Sequence, residues 1–300
     1  MKKSVGLYKP SASEKLSISM PTNKMKVEEV MTKNIRWAEI PGSRENALEL
    51  LKSLGVSAIP VVRSGTGEFV GMVSLRRLLE NPDEDQLAML VDREVPTVAP
   101  DDELKNAAKL MVEKHLRRLP VLRNGELVGI ITVRDIVYRV LTQNFPQPAA
   151  NFMHPATLAI WDGTPLKAAL EIMALAGLRA LPVLDSEGIL VGIVDDSDIV
   201  KVCEVETSSR TSQTRGRTEG DSWTWDTEDR IYITKKVLKV PDKVIRDIMT
   251  KNIITITRKT SVSETASLMK EHKIEQVPVI SAEGRLCGMV YDIDLLRVLF

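Results

Sequence analysis

The stretch Gly129-Ile130-Ile131-Thr132-Val133-Arg134-Asp135 places a hydroxyl and a carboxylate three residues apart, where an apolar strand pattern gives way to a helical one. A hydroxyl at a helix start can cap exposed backbone N–H groups. It can also hydrogen-bond a phosphate held where amides and helix dipole already favour an anion. A carboxylate on the first turn can accept both hydroxyls of a ribose, the task an acidic residue performs in dinucleotide-binding folds. The pairing suits a nucleotide. Taken alone, the same two residues are also an ordinary N-cap and a favourable first-turn charge.

The context of that junction is a fourfold repeat. Leu51 and Pro60, Met111 and Pro120, Met173 and Pro182, and Met269 and Pro278 all share one spacing, and Gly71, Gly129, Gly192 and Gly288 follow at similar distances. A helical pattern opens seven residues before each of the first positions, at Arg44, Leu104, Leu166 and Val262, and only Arg44 is not apolar. Met31-Thr32-Lys33-Asn34-Ile35 recurs letter for letter at 249–253, and Phe152-Met153-His154-Pro155 holds the same place in the third copy. In each copy the pattern predicts a short extended lead-in (Thr97-Val98, Thr255-Ile256), an amphipathic helix, a strand, a polar turn, a second strand and a closing helix that starts near Arg134 in the second copy. A β-α-β-β-α unit of about 55–60 residues buries little core alone, so copies should pair through their sheets.

This order of elements, the Met-Thr lead-in, the Leu-Pro-Val strand and the Gly129–Asp135 stretch resemble the cystathionine-β-synthase (CBS) domain. The resemblance covers residues 27–80, 88–141, 150–203 and 244–300. It implies an α+β fold of four β-α-β-β-α repeats, paired 1 with 2 and 3 with 4 into two Bateman modules that form a disc-like body. The regulatory γ subunit of AMP-activated protein kinase is similarly arranged. The expected division is an N-terminal arm 1–25, repeats at 26–81, 82–145, 146–203 and 244–300, and an insertion at 204–243. Because one chain would complete the body, a monomer or weak homodimer is expected.

Within that resemblance the four junctions are unequal. Repeat 2 alone keeps both Thr132 and Asp135. Repeat 1 has Ser74 but Arg77 where the carboxylate belongs, which removes the ribose contact. Repeat 3 has Asp198 for a ribose but Asp195 at the hydroxyl position, which would repel a phosphate, and repeat 4 has Asp294 behind the bulky phenol of Tyr291. Repeat 2 also carries Arg117-Arg118-Leu119-Pro120, similar to the His-Arg-Leu-Pro stretch of the kinase γ subunit, where basic side chains meet the phosphates. Repeat 3 offers Arg179, while repeats 1 and 4 have Ser57 and Glu275. Adenine is expected against Pro96-Thr97-Val98 and the apolar face near Leu119 and Ile131. Arg134, and Thr255 in the lead-in of repeat 4, complete the expected set, with one strong site at repeat 2 and one or two altered or empty ones elsewhere.

The implied ligand is AMP, ADP or ATP, and the implied role is an energy sensor that repacks its repeats on an unidentified regulated protein. The alternative is a module for another adenosyl ligand, such as S-adenosylmethionine, or for nucleic acid. With 41 basic and 41 acidic residues there is no net field to draw nucleic acid or an anionic membrane. No apolar run approaches the roughly 20 residues of a membrane span, and the start lacks a signal peptide's apolar core, so a cytoplasmic protein is expected. Cys203 and Cys287 read as small buried or half-buried apolar residues. His115, His154 and His272 have no partners at metal or triad spacing, and no Gly-Lys-Ser/Thr phosphate loop occurs, so neither a metal site nor catalysis is expected. His115 reads as a helix-end residue and His154 as a turn residue.

Pro182 and Pro278 lie 96 residues apart against 60 and 62 for the earlier pairs, so about 35 extra residues sit inside the second pair. Thr207 through Gly220 reads as polar and structureless. Trp223 to Val240, with alternating Ile231, Ile233, Val237 and Val240, reads as a strand or hairpin. This insertion is either a tolerated loop or a lid or partner-docking element anchored by Trp223 and Trp225, and Arg210, Arg215 and Arg217 read as part of a solvated linker in preference to phosphate contacts.

Overall fold

The computed structural model describes residues 24–213 and 230–300, and the side chains among them outside 196, 197, 200 and 204–239. Most of the expected N-terminal arm, and Arg215, Arg217, Trp223 and Trp225, lie outside the described residues. The chain forms two compact units, residues up to 143 with Leu296–Phe300, and Asn144–Leu295.

In the first unit, repeat 1 runs α1 (Val27–Val30), β1 (Ala38–Ile40), α2 (Arg44–Leu54), β2 (Ala58–Arg63), β3 (Phe69–Ser74) and α3 (Leu75–Glu80). Repeat 2 follows with α4 (Leu87–Leu90), α5 (Leu104–Glu113), β4 (Arg118–Arg123), β5 (Glu126–Thr132) and α6 (Val133–Ile136), which continues as a π-helical turn over Val137–Leu141. The β1-β2-β3 sheet is parallel then antiparallel, while in repeat 2 the lead-in strand shrinks to a single bridge between Val98 and Val121. Local chemistry sets these bounds. Helix α2 opens where the Ser43 hydroxyl accepts the Asn46 amide at 3.2 Å and stops at Gly55 in a left-handed conformation, and its stripe of Ala47 and Leu51 is buried against Ile59, Val61 and Val73.

In the second unit, repeat 3 comprises β6 (Ile160–Trp161), α7 (Leu166–Ala176), β7 (Ala180–Leu184), β8 (Leu190–Asp195) and α8 (Asp196–Val202). Strands β9 (Glu204–Gln213) and β10 (Arg230–Lys239) come next, then β11 (Ile256–Thr257), α9 (Val262–His272), β12 (Gln276–Ile280), β13 (Leu286–Tyr291) and α10 (Asp292–Leu295). The β6-β7-β8 and β11-β12-β13 sheets repeat the order of the first. The hairpin of each repeat shifts register at the same place, just after the residue that follows its proline, between Val61 and Val62, Val121 and Leu122, Val183 and Leu184, and Val279 and Ile280.

One reading of the insertion is overturned. Thr207–Gln213, expected to be structureless, belongs to β9, which pairs antiparallel with β10 from Glu204↔Lys239 to Gln213↔Arg230. Serine and threonine are poor evidence against a strand when the partner that satisfies their backbone groups lies many residues away.

Pairing within each unit is reciprocal. The first amide of each main helix donates to backbone that precedes the partner repeat: Arg44 to Asp85 at 2.8 Å, Leu104 to Met25 at 2.8 Å, Leu166 to Lys243 at 2.9 Å and Val262 to Gln147 at 2.8 Å. Helix ends that would otherwise carry orphan donors are thereby satisfied across the pair. The residue after each lead-in methionine or its counterpart bridges the residue after each strand glycine, as Thr32↔Ile130, Asp92↔Met72, His154↔Met289 and Thr250↔Ile193. This close approach explains the repeated glycine. A Cβ on Gly71 would collide with the Asp92 carbonyl, and one on Gly129 would sit 2.7 Å from the Met31 sulfur and 3.0 Å from the Thr32 carbonyl.

Candidate functional site

Each bridge brings a lead-in residue of one repeat to the strand-to-helix junction of its partner. At the repeat 2 junction β5 ends in Thr132, whose hydroxyl accepts the Asp135 amide at 3.1 Å, while Asp135 Oδ2 accepts the Thr132 amide at 3.0 Å and its hydroxyl at 2.6 Å. This reciprocal capping box holds the carboxylate on the first turn of α6. The other oxygen, Oδ1, accepts the Thr32 hydroxyl of repeat 1 at 3.1 Å and lies 3.5 Å from the Arg139 guanidinium. Asp135 is therefore half-buried and fully engaged, with an acceptor oxygen shared across two repeats.

The arginine before the proline also crosses between repeats. Arg118 donates to the Ala58 carbonyl at 2.9 Å and to the Ser57 hydroxyl at 2.7 Å. Ser57 and Ala58 occupy in repeat 1 the places that Arg117 and Arg118 occupy in repeat 2, since Ala58 pairs with Ser74 as Arg118 pairs with Thr132. Arg117 is exposed, and its carbonyl accepts the Val133 amide at 3.0 Å, tying the start of α6 to the start of β4. Leu119 faces Ile131 across the hairpin with both fully buried, and Pro120 faces Ile130, so these residues carry the junction from below.

The remaining expected residues are spread along the chain. Val98 is buried beside Val121, Thr97 is exposed and Pro96 half-buried. Arg134 is exposed, with its guanidinium 5.9 Å from the Tyr138 ring centroid. Arg179 is exposed just before β7, and Thr255 is half-buried just before β11. Thr32, Ala58 and Arg139 were missed by sequence reasoning, and Ser57 was named only as the residue that stands in place of an arginine. The recurrence of Met-Thr at 31–32 and 249–250 was the signal that pointed at Thr32.

The other three junctions are built differently. In repeat 1 the Ser74 hydroxyl caps the Arg77 amide at 3.2 Å. In repeat 3, Asp195 Oδ1 accepts the Asp198 amide at 2.9 Å, which makes Asp195 the N-cap, and Asp198 accepts Lys201 at 3.0 Å. That hydrogen bond raises the Lys201 ammonium above its usual value. In repeat 4 the Asp294 side chain is only 7% exposed and lies 2.8 Å from His154 Nε2, and the His154 ring stands edge-on to Tyr291 at 5.5 Å. His154 is thus more than a turn residue. It occupies at Asp294 the place that Thr32 takes at Asp135. Burial, and then the Asp294 carboxylate, push the Tyr291 phenol above its usual value.

Among the described residues no group of three or more metal-ligating side chains forms, no helix is long and apolar enough to cross a membrane, and both cysteines are free and half-buried.

A family model described as the CBS domain matches residues 27–84, 87–142, 149–204 and 245–300. A crystal structure of a conserved protein from Pyrococcus horikoshii is similar over 92% of this chain and 100% of its own, with 34% identity and a TM-score of 0.68. Protein MJ1225 from Methanocaldococcus jannaschii, a candidate archaeal homologue of γ-AMPK, is similar over 92% of this chain and 100% of its own, with 18% identity and a TM-score of 0.63. Protein MJ1404 of the same organism is 26% identical over 75% of this chain, which spans 45% of that relative's length.

Proposed function

Since the chain belongs to the CBS domain family, with four copies of the domain in two pairs, we propose that it is a regulatory protein that binds an adenine nucleotide at the Asp135 junction. The observation that carries this reading is the carboxylate itself, held at a fixed position by Thr132 and reached by Thr32 of the paired repeat. AMP, ADP and ATP share the ribose that Asp135 would accept, and S-adenosylmethionine presents the same group. Arg118 and the exposed Arg117 supply charge for phosphates, and phosphate number would decide among the ligands.

The regulatory step follows from how Asp135 is engaged. Ribose hydroxyls arriving at Oδ1 exchange with the Thr32 hydroxyl and the Arg139 guanidinium. Breaking an inter-repeat hydrogen bond to a carboxylate, worth about 1.5–3 kcal/mol, makes the ligand prefer one packing of the pair over another. A regulated protein that touches the pair would read that preference. The role is regulatory and not catalytic.

Calorimetric titration of the purified chain with AMP, ADP, ATP and S-adenosylmethionine tests the reading. At least one should bind, and Asp135→Ala should weaken it about tenfold or more. Failure of all four ligands to bind would sink the proposal.

A further inference from the structure

The repeat 1 junction has inverted chemistry. A cleft of about 460 Å3 opens there between β3 of repeat 1 and the lead-in of repeat 2, with Met72 and Leu90 as apolar walls and Ser74, Arg77, Asp92 and Arg93 as its polar groups. Arg77 stands where the other three repeats carry a carboxylate, and Asp92 stands where Thr32, His154 and Thr250 stand in theirs.

Arg77 and Asp92 line one cleft without pairing. Asp92 Oδ1 instead accepts the Glu94 amide at 3.2 Å, and among the described residues the Arg77 guanidinium has no hydrogen-bond or ion-pair partner. Arg93 spends one donor on the Ala88 carbonyl at 3.2 Å and keeps the rest of its fork. The Ser74 oxygen accepts the Arg77 amide, which leaves its proton free to donate. The cleft therefore holds two guanidiniums against one carboxylate, with a hydroxyl donor between apolar walls.

A guanidinium only donates, so it cannot accept the hydroxyls of a ribose. Its planar fork matches the oxygens of a phosphoryl group, and two such forks outweigh the one carboxylate of Asp92, so the cleft keeps a net positive charge for an anion. We propose that the repeat 1 cleft is an oxyanion site for a phosphoryl-bearing small molecule, selected by its phosphate and not by a nucleoside. The nucleotide site at Asp135 and this cleft would then sort ligands by opposite ends, one by the ribose and the other by the phosphate.

Titration of the full chain with inorganic pyrophosphate and, separately, with adenosine tests this. Pyrophosphate should bind the wild type. Arg77→Gln should weaken it about tenfold or more, Arg77→Lys should restore part of the loss, and Asp135→Ala should leave it unchanged. Arg77 is exposed, and unchanged far-ultraviolet circular dichroism and melting temperature would show that the variants fold. The proposal is overturned if pyrophosphate does not bind at millimolar concentration, binds Arg77→Gln as tightly as the wild type, or is lost in Asp135→Ala. Adenosine separates the two sites: its loss in Asp135→Ala alone supports the assignment, and its loss in Arg77→Gln contradicts it. If adenosine binds neither the wild type nor any variant while pyrophosphate still depends on Arg77, the oxyanion site stands and the nucleotide reading rests on the phosphate-bearing ligands alone.

Discussion

The Thr32 hydroxyl of repeat 1 lies 3.1 Å from Oδ1 of Asp135 in repeat 2, across 103 residues of sequence. Asp135 is at once the capping carboxylate of its own helix and the acceptor for its partner repeat. That double use is what would let a ligand at the junction be felt by the pairing of the repeats.

Thr32→Val removes the donor and keeps the shape. Because the acceptor is a carboxylate, we expect a loss of about 1.5–3 kcal/mol in the stability of the first unit. Urea denaturation of wild type and variant measures it, and an unchanged midpoint would show that the hydrogen bond contributes nothing.

The backbone contact behind that hydrogen bond should be less forgiving. In Gly71→Ala the new methyl meets the Asp92 carbonyl, a backbone atom that can yield only by moving the lead-in of repeat 2 off β3. Destabilisation of about 2 kcal/mol or more is expected, read as a lower melting temperature and faster hydrogen exchange at Met72 and Asp92. By contrast, Gly65→Ala, whose Cβ would meet nothing, should lose less and through backbone strain alone.

Tyr291 sets a pH dependence. Its phenol is raised by burial and then by the Asp294 carboxylate, so the folded chain holds this proton more tightly than the unfolded chain. The stability it contributes is complete below about pH 10, the unfolded value, and is lost as pH rises through the higher folded value. Denaturant midpoints between pH 9 and 11 should fall more steeply for the wild type than for Tyr291→Phe. Parallel slopes would remove the phenol from the account.

The repeats and their pairing order were legible because they rest on local periods, helix, strand and turn, recurring at one spacing. The Thr132 to Asp135 capping box was legible for the same reason, since it spans three residues. What joins the repeats was not. Arg118 meets Ser57 and Ala58 from about 60 residues away, and His154 meets Asp294 from 140, so neither contact leaves a local pattern. His154 read alone is a turn residue, and only its place in the repeat, aligned with Thr32, gives it a partner. Strand β9 escaped notice because its serines and threonines are held by a strand that begins only at Arg230.

The central claim is that Asp135 accepts the ribose of an adenine nucleotide, and a four-way comparison tests it most directly. Affinities of AMP and of 2′,3′-dideoxy-AMP are measured for the wild type and for Asp135→Ala. Hydrogen bonds to a charged acceptor are worth about 1.5–3 kcal/mol, so the wild type should prefer AMP by roughly tenfold or more. The Asp135→Ala chain should bind both analogues weakly and alike. If the wild type does not distinguish them, or the variant keeps the full preference, the ribose is not held by Asp135.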